Sequence, residues 1–325
     1  MTGADINGMS QSELELHINE YKVFARVSPE QKVNIIKAFK ANGNIVSMTG
    51  DGVNDAPSLN AADIGVAMGI QGTDVAKNAA DMILADDNFS TIISAIEQGR
   101  NIYKNIKKSV IFLLSCNVGE VIAMFVSIIA RLPVPLIATQ LLWINLITDT
   151  LPAVALGMDP GDKDVMKEKP RTRNENFFSH GAGRRVVTAG ILIGVLTIAA
   201  FLLGYYTKDY SPFANSIPEN VHEYARTLAF LTLILSQLFY SFSFRHEFKS
   251  IFKVGFFSNQ YLLGSVILGL GLQVLVIYTP FLRQAFKLQM IGMDEWLVVL
   301  ALGVLPLLAN EVVKFFTRRK ISRTK

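Results

Sequence analysis

Six long apolar stretches govern what this chain can become. They lie at about 106–130, 134–157, 186–206, 225–244, 261–280 and 296–316. A helix needs about 20 mostly apolar residues to cross ~30 Å of hydrocarbon. Lipid offers no hydrogen bonds, so each crossing segment must satisfy its backbone internally. The expectation is a multi-pass α-helical membrane domain of six spans over 101–325. Composition agrees: 50% of the 325 residues are hydrophobic without counting glycine, and the mean hydropathy is +0.34. The first two stretches are joined by Arg131-Leu132-Pro133, which predicts a tight helical hairpin.

The connectors orient the spans. The loop after the second span carries Lys163, Lys167, Lys169, Arg171, Arg173, Arg184 and Arg185, and the loop after the fourth carries Arg245, Lys249 and Lys253. The tail adds Lys314, Arg318, Arg319, Lys320, Arg323 and Lys325, against Arg131, Lys208, Arg283 and Lys287 on the opposite side. Basic residues collect on the cytoplasmic side, so both termini are expected there, in a cell-membrane protein. The net charge of +4 then reflects topology, and no recognition motif accompanies it, so no nucleic-acid partner is expected. Membrane lipid is the expected surrounding. No apolar stretch lies near residue 1, which argues against a signal peptide. Cys116, the sole cysteine, reads as a small buried thiol. The histidines at 17, 180, 222 and 246 have no metal-ligand spacing.

Residues 1–100 read differently. Strand-like runs at 22–27, 45–48, 63–68 and 81–84 alternate with helix-like segments at 29–42 and 72–80. Ser28 is a good N-cap, with Pro29 at the first helical position. Such alternation implies a parallel sheet covered on both faces. The region is short for a complete doubly wound domain, so part of its sheet is expected upstream.

Thr49-Gly50-Asp51-Gly52-Val53-Asn54-Asp55 follows the second of these strands. Two carboxylates straddle a strand-to-helix turn, where ligands bind in open α/β sheets. Asp51 and Asp55 offer hard oxygens suited to Mg²⁺ held with a phosphate. Gly50 and Gly52 permit close backbone approach. Lys32 can reach a phosphoryl oxygen as a point charge. The plainer alternatives are an acidic turn and a solvated helix lysine.

FARVSPEQK, MTGDGVNDAP and LADDNFSTI resemble the phosphorylation domain of P-type ATPases, a haloacid-dehalogenase-like (Rossmann-type) α/β fold. The resemblance runs from about residue 24 to 100. It implies a partial domain of this kind over 1–100, with Asp51 and Asp55 on Mg²⁺. It further implies that Asn54 orders the site, that Lys32 stabilises the phosphoryl group, and that Thr49, Gly50 and Gly52 lie against the cofactor. The family's phosphorylated aspartate sits in a DKTGT motif, which this chain lacks. The nucleotide-binding and actuator domains and four earlier spans are also missing. An N-terminal part of the pump, with its ATP site, is therefore an expected partner.

Polar residues within the spans are the second signal, since each costs about 2.5–3.5 kcal/mol on insertion. Asn117 and Glu120 share a face of the first span; Asn145, Thr148 and Asp149 share one of the second. Facing stripes would make an all-oxygen cage suited to Ca²⁺; the alternative is interhelical hydrogen bonding. CNVGEV and LLWINLITDTLPA resemble the fifth and sixth spans of calcium-transporting type II pumps of the sarco/endoplasmic-reticulum kind. That resemblance makes these five residues the ligands of the transported cation. It also places Ile234 where two-site pumps carry a glutamate, with Gln237 one turn later. An aliphatic side chain cannot ligate Ca²⁺, so one ion per cycle is expected, as in bacterial and secretory-pathway versions. The implied function is ATP-driven Ca²⁺ export through an aspartyl phosphate. A pump for Mn²⁺ or Na⁺, or a truncated non-catalytic membrane protein, is the alternative. A continuous helix over 91–130, about 60 Å at ~1.5 Å per residue, would link the two sites.

Overall fold

The computed structural model describes residues 1–162, 164–172, 175–214 and 216–323, the side chains of His180 and of 320–323 excepted. Of the basic residues counted above, Lys163, Arg173, Lys325 and the side chains of Lys320 and Arg323 lie outside the described residues, as does the side chain of His180. Two compact units emerge: Met1–Arg100 with Lys163–Glu175, and Asn101–Asp162 with Asn176–Lys325.

The first unit opens with two short helices, α1 (Gly3–Asn7) and α2 (Gln11–His17), each begun by a capping box, Thr2 with Asp5 and Ser10 with Glu13. The sequence reading assigned neither. Helix α3 (Pro29–Ala41) starts as expected at Ser28, whose hydroxyl accepts from the Gln31 N–H. Strands β1 (Ser47–Gly50), β2 (Ile64–Met68) and β3 (Met82–Leu84) form a parallel sheet in the order β1-β2-β3. The register pairs Gly50 with Ala67 and Val66 with Met82. Helices α4 (Ala56–Ala61) and α5 (Asp74–Ala79) make the two crossovers that parallel strands require.

The run at 22–27 is not a strand. Only an isolated bridge joins Ala25 to Thr2, and Arg26 turns into left-handed backbone at φ 54°. An apolar run supports a strand only where a neighbouring edge pairs with it.

The second unit is helical. Helix α6 (Phe89–Ile129) runs unbroken for 41 residues, beginning in the first unit and ending in this one. The hairpin after it turns at Arg131, φ 54°, and the next helix begins at residue 138, not 134. Pro135 disfavours helix at Val134, so the chain stays extended there. That segment is also not one regular helix: α7 (Ala138–Trp143) passes through a π-type turn at Ile144–Thr148 into α8 (Thr150–Gly157). Then come α9 (Ala182–Tyr206), α10 (Glu219–Ser241), the short α11 (Ile251–Val254), α12 (Gln260–Tyr278), α13 (Pro280–Ala285) and α14 (Met293–Arg323). Among the described residues, five helices are long and apolar enough to cross a membrane: α6, α9, α10, α12 and α14. The remaining apolar stretch, at 134–157, is the interrupted α7–α8 segment.

Helix α10 is the axis of the bundle: 89% of its most apolar stretch is buried, against 17% for α14. Phe230, Leu231, Ile234 and Leu235 anchor the main apolar cluster, with Phe112 of α6 and Ile193 of α9. α6 and α9 approach closely at Gly190, where an added Cβ would lie 2.4 Å from Val118.

One end of the bundle is held by buried charge. Asp159, just after α8, accepts from Arg245 Nε at 2.8 Å, Asn259 Nδ2 at 2.9 Å and Lys108 Nζ at 2.8 Å. Arg245 also donates to the Gly255 carbonyl and the Ser258 hydroxyl, both at 2.7 Å. Side chains of Asp159 and Arg245 are each 3% exposed. Every oxygen of this carboxylate is partnered, which makes a buried ion pair tolerable. Glu311 and Lys314 pair at 3.2 Å, and the Ser250 hydroxyl donates to Glu311.

Candidate functional site

The acidic loop of the first unit sits at the carboxyl end of β1. The turn at Val53–Asp55 leads into α4 and turns Asp55 inward. An added Cβ on Gly50 would fall 2.5 Å from Asp55 Cβ, so only glycine lets the carboxylate fold over the strand end. Lys32 of α3 donates to Asp55 Oδ1 at 2.6 Å, and the Gly52 N–H to Oδ2 at 3.3 Å. Burial works against the charged form of Asp55, but the Lys32 and backbone hydrogen bonds outweigh it and hold the carboxyl below its usual range. Asp51 and Asn54 are exposed beside it, and Thr49 is half-buried on β1. The carbonyl of Asp51 accepts from the Thr73 N–H at 2.9 Å, which ties the loop to the start of α5.

A second acidic device went unassigned in the sequence. Asp87, at φ 47°, accepts from the N–H groups of Gly69, Ile70 and Gln71 at 2.6, 3.0 and 2.9 Å. The bond from Ile70 leads in holding this carboxyl below its usual range. Asp86 accepts from Thr91 Oγ1 at 2.7 Å at the start of α6. The LADDNFSTI run thus braces the loop after β2 and starts the long helix.

In the second unit, the two acidic residues expected within the spans are both buried in the bundle, near enough for their charges to interact. Glu120 of α6 is 6% exposed and Asp149, at the end of the π-type turn, 1%. The Asn145 amide donates to Glu120 Oε2 at 2.8 Å. Asp149 lies close enough to Glu120 to sense its charge. Among the described residues, neither carboxylate oxygen of Asp149 meets a hydrogen-bond donor of ordinary geometry. The weakly donating Cys116 thiol is a near neighbour. Thr148 is buried and spends its proton on the Ile144 carbonyl at 3.1 Å, leaving oxygen lone pairs free.

The break in the helix puts these groups where they are. The Asp149 N–H bonds to the Ile144 carbonyl five residues back, at 2.9 Å, and Pro152 has no N–H to continue the ladder. The Thr150 hydroxyl takes up the Asn145 carbonyl at 3.1 Å. π-type turns recur at functional sites because they re-aim side chains.

Asn117 stands apart. It is exposed on α6 with no bond to the cluster, whereas the likewise exposed Asn145 reaches Glu120 and Thr148 is buried beside Asp149 in the chain. A different residue joins them: Gln237 of α10, 1% exposed, donates to Glu120 Oε1 at 3.3 Å. Ile234, one turn earlier, is fully buried in the apolar cluster. Among the described residues, no three of His, Cys, Asp and Glu gather in a way that could hold a metal ion. The cluster is instead two carboxylates with amide and hydroxyl oxygens.

Residues 133–316 match the family model for the C-terminus of cation-transporting ATPases. The chain belongs to the cation-transporting ATPase family. It is 52% identical over 319 residues to calcium-transporting ATPase 1 of Bacillus cereus, covering 97% of this chain and 36% of that protein. Against the calcium-transporting ATPase of Bacillus subtilis the identity is 48%, over 98% of this chain and 35% of the relative. Against calcium-transporting ATPase 1 of Saccharomyces cerevisiae it is 39%, over 98% and 33%. The chain therefore spans about a third of the length of the curated relatives it matches. As a member of this family with several membrane-crossing helices, it is a multi-pass membrane protein.

Proposed function

We propose that this chain is the C-terminal part of an ATP-driven pump that exports Ca²⁺ from the cytoplasm. The observation that carries this reading is Asp149: a carboxylate buried in an apolar bundle, close enough to Glu120 to sense its charge and, among the described residues, without an ordinary donor. Burying an unpaired charge is costly, and a dehydrated divalent ion is what offsets it. Glu120, Asn145, Thr148 and Asp149 provide the hard oxygens that Ca²⁺ prefers. Asn117, on the exposed side of α6, completes the set only if another span of the full pump covers it. The aliphatic Ile234 leaves α10 without a carboxylate there, which favours one Ca²⁺ per cycle.

With the interrupted α7–α8 segment counted as a crossing there are six spans, an even number, so in this reading both termini lie on one side of the cell membrane, the cytoplasmic side by the basic connectors. The first unit is part of a haloacid-dehalogenase-like phosphorylation domain. Mg²⁺ fits the acidic loop, because that ion needs only one or two carboxylates when a phosphate shares it, and Asp51 is exposed beside Asp55. Asp51 and Asp55 would hold it, Asn54 would order the loop, and Thr49, Gly50 and Gly52 would line the approach. Bound there, Mg²⁺ supplies charge neutralisation for phosphoryl transfer. Lys32 would exchange Asp55 for a phosphoryl oxygen. ATP binding, the phosphorylated aspartate and the earlier spans belong to the N-terminal remainder of the pump. Helix α6 carries the state of the phosphate site to Glu120.

The test is phosphorylation by ATP in the full-length pump. Ca²⁺ should be required, and Mn²⁺ or Na⁺ should not substitute. Activation by another cation instead would move the assignment to that ion.

A further inference from the structure

We infer that a basic cleft beside the end of α14 binds the phosphate headgroup of an anionic phospholipid. Ser250, Phe252, Lys253, Phe315, Arg318 and Arg319 line a cleft of about 520 Å³. It lies outside both acidic clusters and does not depend on which ion is moved. Its place in the bundle is fixed by Lys314, which donates to the Ser243 carbonyl just after α10 at 2.9 Å. Phe315 to Arg319 therefore continue α14 beyond the level where α10 ends. The connector between α10 and α12 reaches the same level, because the Ser250 hydroxyl donates to Glu311 of α14. Both α12 and α14 are long and apolar enough to cross a membrane, and most of their apolar surface is left for lipid: only 39% and 17% of their most apolar stretches are buried.

The chemistry of the lining selects the occupant. Arg318 spends Nε on the Lys314 carbonyl at 3.2 Å, which leaves the rest of its fork. The Arg319 guanidinium lies over the Phe315 ring, 4.4 Å from its centre. Glu311, one turn before Phe315, is already taken by Lys314 and Ser250. Among the described residues, Lys253, Arg318 and Arg319 form no ion pair with a carboxylate. Three cations without a counter-charge around one concavity suit a phosphate, which the planar fork of arginine matches in geometry. The apolar part of the lining points to lipid as its source. Phe252 and Phe257 of the connector are 83% and 73% exposed and Phe316 of α14 is 62% exposed. Such rings beside cationic side chains suit the boundary between headgroup and acyl chain. Basic clusters next to a crossing helix recognise anionic headgroups in this way.

The test titrates the full-length pump in neutral detergent with phosphatidylglycerol and counts retained lipid by native mass spectrometry. Phosphatidylcholine with the same chains and free glycerol phosphate are the comparison arms. The parent should retain phosphatidylglycerol in preference to phosphatidylcholine, and glycerol phosphate should not displace it. Lys253→Gln with Arg318→Gln and Arg319→Gln should weaken that binding about tenfold or more. A control, Lys169→Gln with Arg184→Gln, removes exposed charge from another basic connector and should stay within about threefold of the parent. Unchanged binding in the triple variant overturns the inference. So does an equal loss in the control, which would mean diffuse surface charge, or equal retention of phosphatidylcholine. Displacement by glycerol phosphate overturns the lipid as occupant and makes the cleft a site for a soluble phosphate. Should the triple variant misfold, as read by thermal unfolding, Lys253→Gln on the exposed connector decides alone: binding about threefold weaker or more supports the cleft, and parent-like binding overturns it.

Discussion

Asp149 is the residue whose environment makes least sense without a cargo. Its neighbour Glu120 at least receives amide hydrogens from Asn145 and Gln237. Glu120→Gln should therefore lower the apparent Ca²⁺ affinity of the full pump at least about tenfold, read as Ca²⁺-dependent phosphorylation by ATP. An unchanged dependence would place the ion elsewhere. The soluble site carries its own residue-scale prediction. Asp55 titrates below the ordinary carboxylate value of 3.8 because Lys32 and Gly52 stabilise its charged form against burial. A carboxyl lowered by folding contributes stability above its unfolded value and loses that contribution as the pH falls through the folded one. Amide exchange at Gly52, corrected for its intrinsic rate, should accelerate only below about pH 3.8. In Lys32→Met the acceleration should begin at higher pH, and identical profiles would show that Lys32 does not hold the loop.

At the scale of elements, three structures matter: the long helix, the interrupted one and the charged clasp. Helix α6 is unbroken from Phe89 to Ile129. Hydrogen exchange in the assembled pump should find the amides around Lys107, Lys108 and Ser109 protected together, and a run of fast exchange there would contradict a stiff connection. The clasp around Asp159 joins the end of α8 to α6, to the turn after α10 and to the start of α12. Arg245→Ala leaves Asp159 buried with one cation fewer and should destabilise the second unit by about 3–5 kcal/mol, seen as earlier thermal unfolding in detergent. A shift no larger than that of a surface substitution would show that the pair is dispensable.

Much of this was legible in the sequence. Apolar length marked the five helices long and apolar enough to cross a membrane, Ser28-Pro29 marked α3, and the polar faces of two apolar stretches pointed to Glu120 and Asp149, both buried in the bundle. The misses have physical causes. The π-type turn follows from how Pro152 and Thr150 redistribute backbone bonds, which side-chain periodicity does not report. The run at 22–27 is apolar enough for a strand but has no edge to pair with. Gln237 reads as an ordinary polar residue in an apolar run until α10 is known to pack against α6. The roles of Asp87 and Asp159 depend on partners 16 to 100 residues away.

For the whole molecule, there are two compact units, the first with the acidic loop at Asp51 and Asp55 and the second with the buried carboxylates of Glu120 and Asp149. The chain covers about a third of the length of its relatives, so the proposed coupling of the two sites is tested in the full-length pump. In the proposed pump, Glu120 and Asp149 form the pocket that binds Ca²⁺. Equilibrium binding of radioactive calcium to the full-length pump tests it directly, comparing the parent with Asp149→Asn, and phosphorylation by inorganic phosphate checks that both are folded. The parent pump should hold about one tightly bound Ca²⁺ and the variant none. Equal binding by both would contradict it.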